Sequence, residues 1–104
     1  MMTKYNKLVR DKVPEKIKKE GKVPKFHVAN EEEYWEKLKE KLEEEVGEFL
    51  ISNNKEELAD ILEVLEEIYR FKNFDKKEIE KIKEKKIKEK GSFNEKIILD
   101  ETWD

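Results

Sequence analysis

Two pairs of acids carry the chemistry on offer in this chain: Glu45-x-x-Glu48 and, shortly after it, Glu57-x-x-Asp60. Spacing of i, i+3 puts both carboxylates of a pair on one face of a helix. Two helices joined by a short turn then bring the pairs towards each other. Four oxygen donors across such a seam can hold one or more Mg²⁺, with water and phosphate filling the remaining octahedral positions. Helical bundles commonly build metal sites in this way, from side chains projecting inward on facing helices. The absence of cysteine excludes disulfides, Cys-ligated zinc and thiol catalysis, and the single histidine, His27, excludes a His-rich centre. An oxygen ligand set favours hard cations, Mg²⁺ or Mn²⁺.

Spacing alone does not single these acids out. Glu-x-x-Glu occurs four times, at 33/36, 40/43, 45/48 and 63/66, which is the background expected of a chain so rich in glutamate. Position on the helix decides more. At about 100° per residue, with Leu42 at zero, the apolar stripe of the helix carrying the first pair spans roughly −80° to +80°. Glu45 falls inside it near −60°, Glu48 at its edge near −120°, and Glu44 on the solvent side near 200°, at that same spacing of about 100°. On the next helix, counted at about 100° per residue from Leu58, Glu57 lies between Ile61 and Val64, with Asp60 beside them. A carboxylate within an apolar stripe needs compensation, because an unpaired buried charge is costly. Lys partners, or exposure at the end of the hairpin, would supply it without a metal. Converging carboxylates also repel one another, and a divalent cation is the usual remedy.

The elements that must position these acids are legible in the pattern. A short helix is expected after Asp11, which reads as its cap, with Pro14 in the first turn and Gly21 at the stop. Residues 22–29 (KVPKFHVA) partly alternate and suggest a short extended segment, with residues 93–99 (FNEKIIL) as a second short strand pairing with 25–29. Three longer helices are expected over 31–51, 55–71 and 76–90. Each opens on a capping signal, Asn30 with Glu33, Asn54 with Glu57, and Asp75 with Glu78. Glu57 thus has a second reading as a cap partner. Tyr34, Trp35, Leu38, Leu42, Val46, Phe49 and Leu50 recur at helical spacing on the first of these helices, and Leu58, Ile61, Leu62, Val64, Leu65, Ile68 and Tyr69 on the second. The expected fold is all-α, an antiparallel helical bundle with a short N-terminal helix and a minor two-stranded element, in one domain over residues 1–104.

The chain has 104 residues, with 24 Lys and Arg against 27 Asp and Glu, for a net charge of −3. Lys and Glu supply most of that charge, a bias that fits thermophile-type surface ion-pair networks. The near balance excludes a polybasic binder of nucleic-acid polymers and a self-repelling acidic tail. An apolar content of 36% is lean for a chain this short, a shortage that a core shared between copies would relieve. The sequence has no apolar run long enough to span a membrane and no signal-peptide pattern, so a cytoplasmic protein is expected.

Glu44-Glu45-x-x-Glu48 followed by Glu57-x-x-Asp60 resembles the EExxE…ExxD signature of the all-α, MazG-like nucleoside triphosphate pyrophosphohydrolases. The opening Tyr5-Asn-Lys-Leu-Val-Arg-Asp-Lys-Val-Pro14 resembles the more specific YNKLVRDKIP start of one small house-cleaning subfamily, differing only at Val13. The segment ELADILEV, from Glu57 to Val64, is similar too. Lys90-Gly-Ser-Phe93 stands where the subfamily pattern reads more like RGGF.

The resemblance implies Mg²⁺-dependent hydrolysis of a nucleoside triphosphate between its α- and β-phosphates, giving a monophosphate and pyrophosphate. It implies Glu45, Glu48, Glu57 and Asp60 as metal ligands, with Glu48 also orienting the attacking water. It adds Lys7, Arg10, Lys12 and Lys90 as phosphate contacts. On residue chemistry alone the first three read first as surface ion-pair partners of the abundant glutamate, a preference that the N-terminal match narrows. Trp35 reads as core and His27 as structural. A homodimer or higher homo-oligomer would enclose the site. Two other readings stand beside this one: a charged helical-bundle interaction module, and an enzyme of the phosphoribosyl-ATP pyrophosphohydrolase kind.

Overall fold

The computed structural model describes residues 1–104 and is all-α, with helices α1 (Val13–Lys19), α2 (Glu31–Ser52), α3 (Lys55–Lys72) and α4 (Lys76–Lys90) and no strand. The chain divides into two compact units, Met1–Lys72 and Asn73–Asp104. No helix is long and apolar enough to cross a membrane.

The ends of the helices follow from local chemistry. At the end of α1, Gly21 adopts φ 83°, its N–H donates to Lys18 O, and the Lys22 N–H reaches back to Ile17 O. These paired bonds satisfy carbonyls that the helix leaves open, and glycine reaches the left-handed region without steric cost. Asn30 Oδ1 accepts the Glu33 N–H at 2.9 Å to open α2, with three acids in the first turn complementing the helix dipole. At the other end, Asn53 takes φ 58° and donates its N–H to Phe49 O. Asn54 Oδ1 then accepts the Glu57 N–H at 3.0 Å and opens α3. Asn53 and Asn54 alone therefore separate the two long helices, which turns them into antiparallel neighbours.

Within the first unit α2 and α3 pack along their length, with Leu38 and Val64 buried between them. At the end of the pair remote from the asparagines, Trp35 stacks on Phe71 at 5.5 Å and Tyr34 meets the same ring edge-on. Lys72 Nζ lies 4.2 Å from the Trp35 ring centroid. That packing agrees with Trp35 as a core residue. His27 is exposed and lies 2.9 Å from Glu33.

Three local expectations are corrected. The minor two-stranded element does not form, since residues 25–29 and 93–99 are both irregular. Pro24 removes one backbone donor, a left-handed Lys96 bonds back to Phe93 in a turn, and a lone pair of strands is marginal without a surface to pack on. Asp11 is not the cap of α1. The position belongs to Lys12, and Pro14 and a backbone turn from Val13 N–H to Arg10 O start the helix instead. In the second unit, Asp75 caps α4 through the N–H of Lys77 and not of Glu78.

Candidate metal centre

Glu45 is the one acid that the fold buries, at 7% exposure. It stands on the α2 face that meets α3, two turns from Leu38, where the helical wheel puts it inside the apolar stripe. Lys41 Nζ, one turn back on α2, lies 3.4 Å from its Oε1. Its Oε2 is buried and has no hydrogen-bond partner. Burial pushes the Glu45 carboxyl above the ordinary carboxylate range, the Lys41 contact pulls it down, and the nearby charges of Glu48 and Asp60 push it up again.

Across the seam, the first turns of α3 present Glu57 and Asp60. One carboxylate oxygen from each of Glu45, Glu57 and Asp60 lies within 4.8 Å of the others. The Glu57 backbone N–H completes the Asn54 cap, while its carboxylate joins the group and the Asn54 N–H turns to Ser52 Oγ instead. Three acids so placed, one of them buried with an orphaned oxygen, suit a hard divalent cation, for which oxygen donors are the natural ligands. Glu48 stays exposed at the edge of the group, close enough for its charge to act on both Glu45 and Lys7.

The segment before α1 returns across the hairpin. Lys7 Nζ donates to Glu44 Oε1 at 3.0 Å, and Lys37 Nζ donates to the Asn6 carbonyl at 2.7 Å. Arg10 spreads its guanidinium over α3, with Nη2 donating to Asp60 Oδ1 at 2.7 Å and Nη1 to Glu63. The bond to Lys7 holds the Glu44 carboxyl below the usual range, against the opposing effect of burial. Of the expected phosphate contacts, Lys7 and Arg10 therefore reach the acids, where they form ion pairs. Lys12 is exposed at the N-terminal end of α1 and pairs with none of these acids, and Lys90 is exposed in the last turn of α4 in the other unit.

Two residues of this region escape a reading by helical phase. Glu44 falls on the solvent side of a two-helix wheel, yet the N-terminal segment covers it. Glu63 belongs to a Glu-x-x-Glu pair indistinguishable from background, and only its contact with Arg10 brings it into the site.

No family model and no solved structure matches the chain. A stretch of 49 residues is 39% identical to an uncharacterized protein of Mycolicibacterium smegmatis, over 47% of this chain and 50% of that one. The match thus spans about half the length of this curated relative, and it does not assign the chain to a family.

Proposed function

We propose that the chain is a Mg²⁺-dependent nucleoside triphosphate pyrophosphohydrolase of the MazG-like kind, acting in nucleotide house-cleaning. The observation that carries the reading is the buried Glu45 carboxylate, its Oε2 unpartnered, grouped with Glu57 and Asp60 across the α2–α3 seam. Glu45, Glu57 and Asp60 hold the cation, and Glu48 at the exposed edge completes the set. A bound Mg²⁺ would neutralise the triphosphate and acidify a water. Glu48, exposed at the edge of the group, would orient that water as a hydrogen-bond acceptor. Arg10 and Lys7 stand beside the acids as donors to phosphate oxygens, Arg10 with a fork suited to two of them. Water adds to phosphorus as the α–β anhydride bond breaks, and the products are a nucleoside monophosphate and pyrophosphate.

The same reading includes self-association. At about 100° per residue, Val46 and Leu50 on α2 share one side of the hairpin with Leu58 and Leu62 on α3, opposite the N-terminal segment. Leu50 is 69% and Leu62 61% exposed. A second copy of the chain covers this side and supplies the core that a lean sequence lacks. The test is a panel of standard and modified nucleoside triphosphates with and without Mg²⁺, read as pyrophosphate against free phosphate. Pyrophosphate release that needs the metal is expected. Free phosphate alone would exclude α–β cleavage, and no turnover with any divalent metal would favour a non-catalytic interaction module.

A further inference from the structure

Arg10 occupies a place that the metal centre needs. Its Nη2 donates to Asp60 Oδ1 at 2.7 Å, and Asp60 is one corner of the three-carboxylate group. A guanidinium and a divalent cation repel each other, so both cannot rest on that carboxylate at full strength. Glu63, which holds the other arm of Arg10, lies one turn further along α3 and outside the group. Arg10 is well exposed and Asp60 partly so, at 58% and 36% of their side chains. Solvent therefore weakens the pair enough for it to open readily.

We infer that Arg10 and a divalent cation displace one another at Asp60, and that Glu63 is the positioning residue that keeps Arg10 at the margin once the cation has entered. The inference rests on the metal-centre reading, to which the buried and unpartnered Glu45 Oε2 gives independent support. Before loading, Arg10 offsets part of the charge of the acids. After loading, it is held by Glu63 with one arm of its fork released towards any anion bridging the cation. Cation binding thus precedes and prepares the grip on phosphate. Lys7 plays no part in the exchange, because its partner Glu44 is not one of the three carboxylates.

Titration with Mn²⁺ alone, followed by the electron paramagnetic resonance signal of the free ion, tests this on the intact chain without any turnover. Arg10→Gln should bind Mn²⁺ about 1.5- to fivefold more tightly than the parent, the range expected for loss of an exposed ion pair. Glu63→Gln should bind it more weakly by a similar factor, and in the Arg10→Gln background the Glu63 substitution should have no effect. Equal tightening in Lys7→Gln would reduce the effect to bulk charge and overturn the exchange. If Arg10→Gln binds no better than the parent while Glu45→Gln loses Mn²⁺, the exchange is wrong and the metal centre stands. If neither the parent nor Arg10→Gln binds Mn²⁺, the metal centre falls, and the exchange with it.

Discussion

Lys41 and Glu45 lie one turn apart on α2, with Nζ and Oε1 separated by 3.4 Å, and the lysine reaches only one carboxylate oxygen, leaving the buried Oε2 without a partner. A buried charge met on one side is a cost to the unloaded fold. Burial raises the Glu45 carboxyl above its unfolded value, so the native state retains a proton there that the unfolded chain has lost. The contribution of Glu45 to stability accordingly falls as pH rises from the ordinary carboxylate value through the raised one. Glu45→Leu should therefore stabilise the metal-free protein at pH 7 by about 1 kcal/mol, with the gain shrinking below the ordinary carboxylate pKa. Urea denaturation at pH 7 and pH 4 in chelator measures this, and an unchanged midpoint at pH 7 would mean that Lys41 compensates the charge fully.

Metal should reverse that cost. Mn²⁺ or Mg²⁺ at 100 times its dissociation constant should add about 2.7 kcal/mol to the stability of the parent, by preferential binding to the native state. The melting temperature reports it. Glu45→Gln, Glu57→Gln and Asp60→Asn should each lose most of the shift, whereas Glu48→Gln should keep more of it. Equal loss in all four variants would make Glu48 a ligand of the same rank as the other three.

The pair between Lys7 and Glu44 gives the opposite pH sign. Glu44 is held below the ordinary carboxylate range, first by its bond to Lys7. Its contribution is therefore present above the unfolded pKa and is lost as pH falls through the lowered one. The pair is partly exposed, so Glu44→Gln should cost only about 0.5 kcal/mol at neutral pH and nothing in strong acid. Chemical denaturation across that range is the measurement, and a cost that persists in acid would point to packing by Glu44 as the cause.

The exposed leucines on the other side of the hairpin predict a concentration-dependent assembly. Leu58→Glu with Leu62→Glu should shift the protein to the monomer in sedimentation equilibrium. The change should also lower its melting point, because an apolar face on α3 would lose its cover. A parent that is monomeric at every concentration would refute the shared core.

Much of this architecture is legible in the residues themselves. The bounds of α4 match the expectation, and those of α2 and α3 differ by a single residue, because Asn30, Asn54, Asp75 and the apolar periodicity are local signals. Glu45 is recognisable for the same reason, since its phase among Leu38, Leu42 and Phe49 is fixed by the helix that carries it. Partners that arrive from distant sequence leave no such trace. Lys7 and Glu44 are 37 residues apart and Arg10 and Asp60 are 50, and no period in the chain announces either pairing. The strands expected at 25–29 and 93–99 failed for the converse reason: alternation is a local pattern, but a strand exists only if something lies beside it.

The two-residue link at Asn53 and Asn54 acts as a gear tooth between the helices. It ends α2 in one phase and starts α3 in another, so lengthening it would loosen the register of Glu57 and Asp60 against Glu45. The Asn53 backbone, at φ 58°, allows glycine or asparagine at little cost but sets a strain of about 1–3 kcal/mol against a β-branched side chain. Changes to this pair should thus misalign the acids long before they unfold the helices. The acid pairs can be no more independent of each other than the teeth of one wheel.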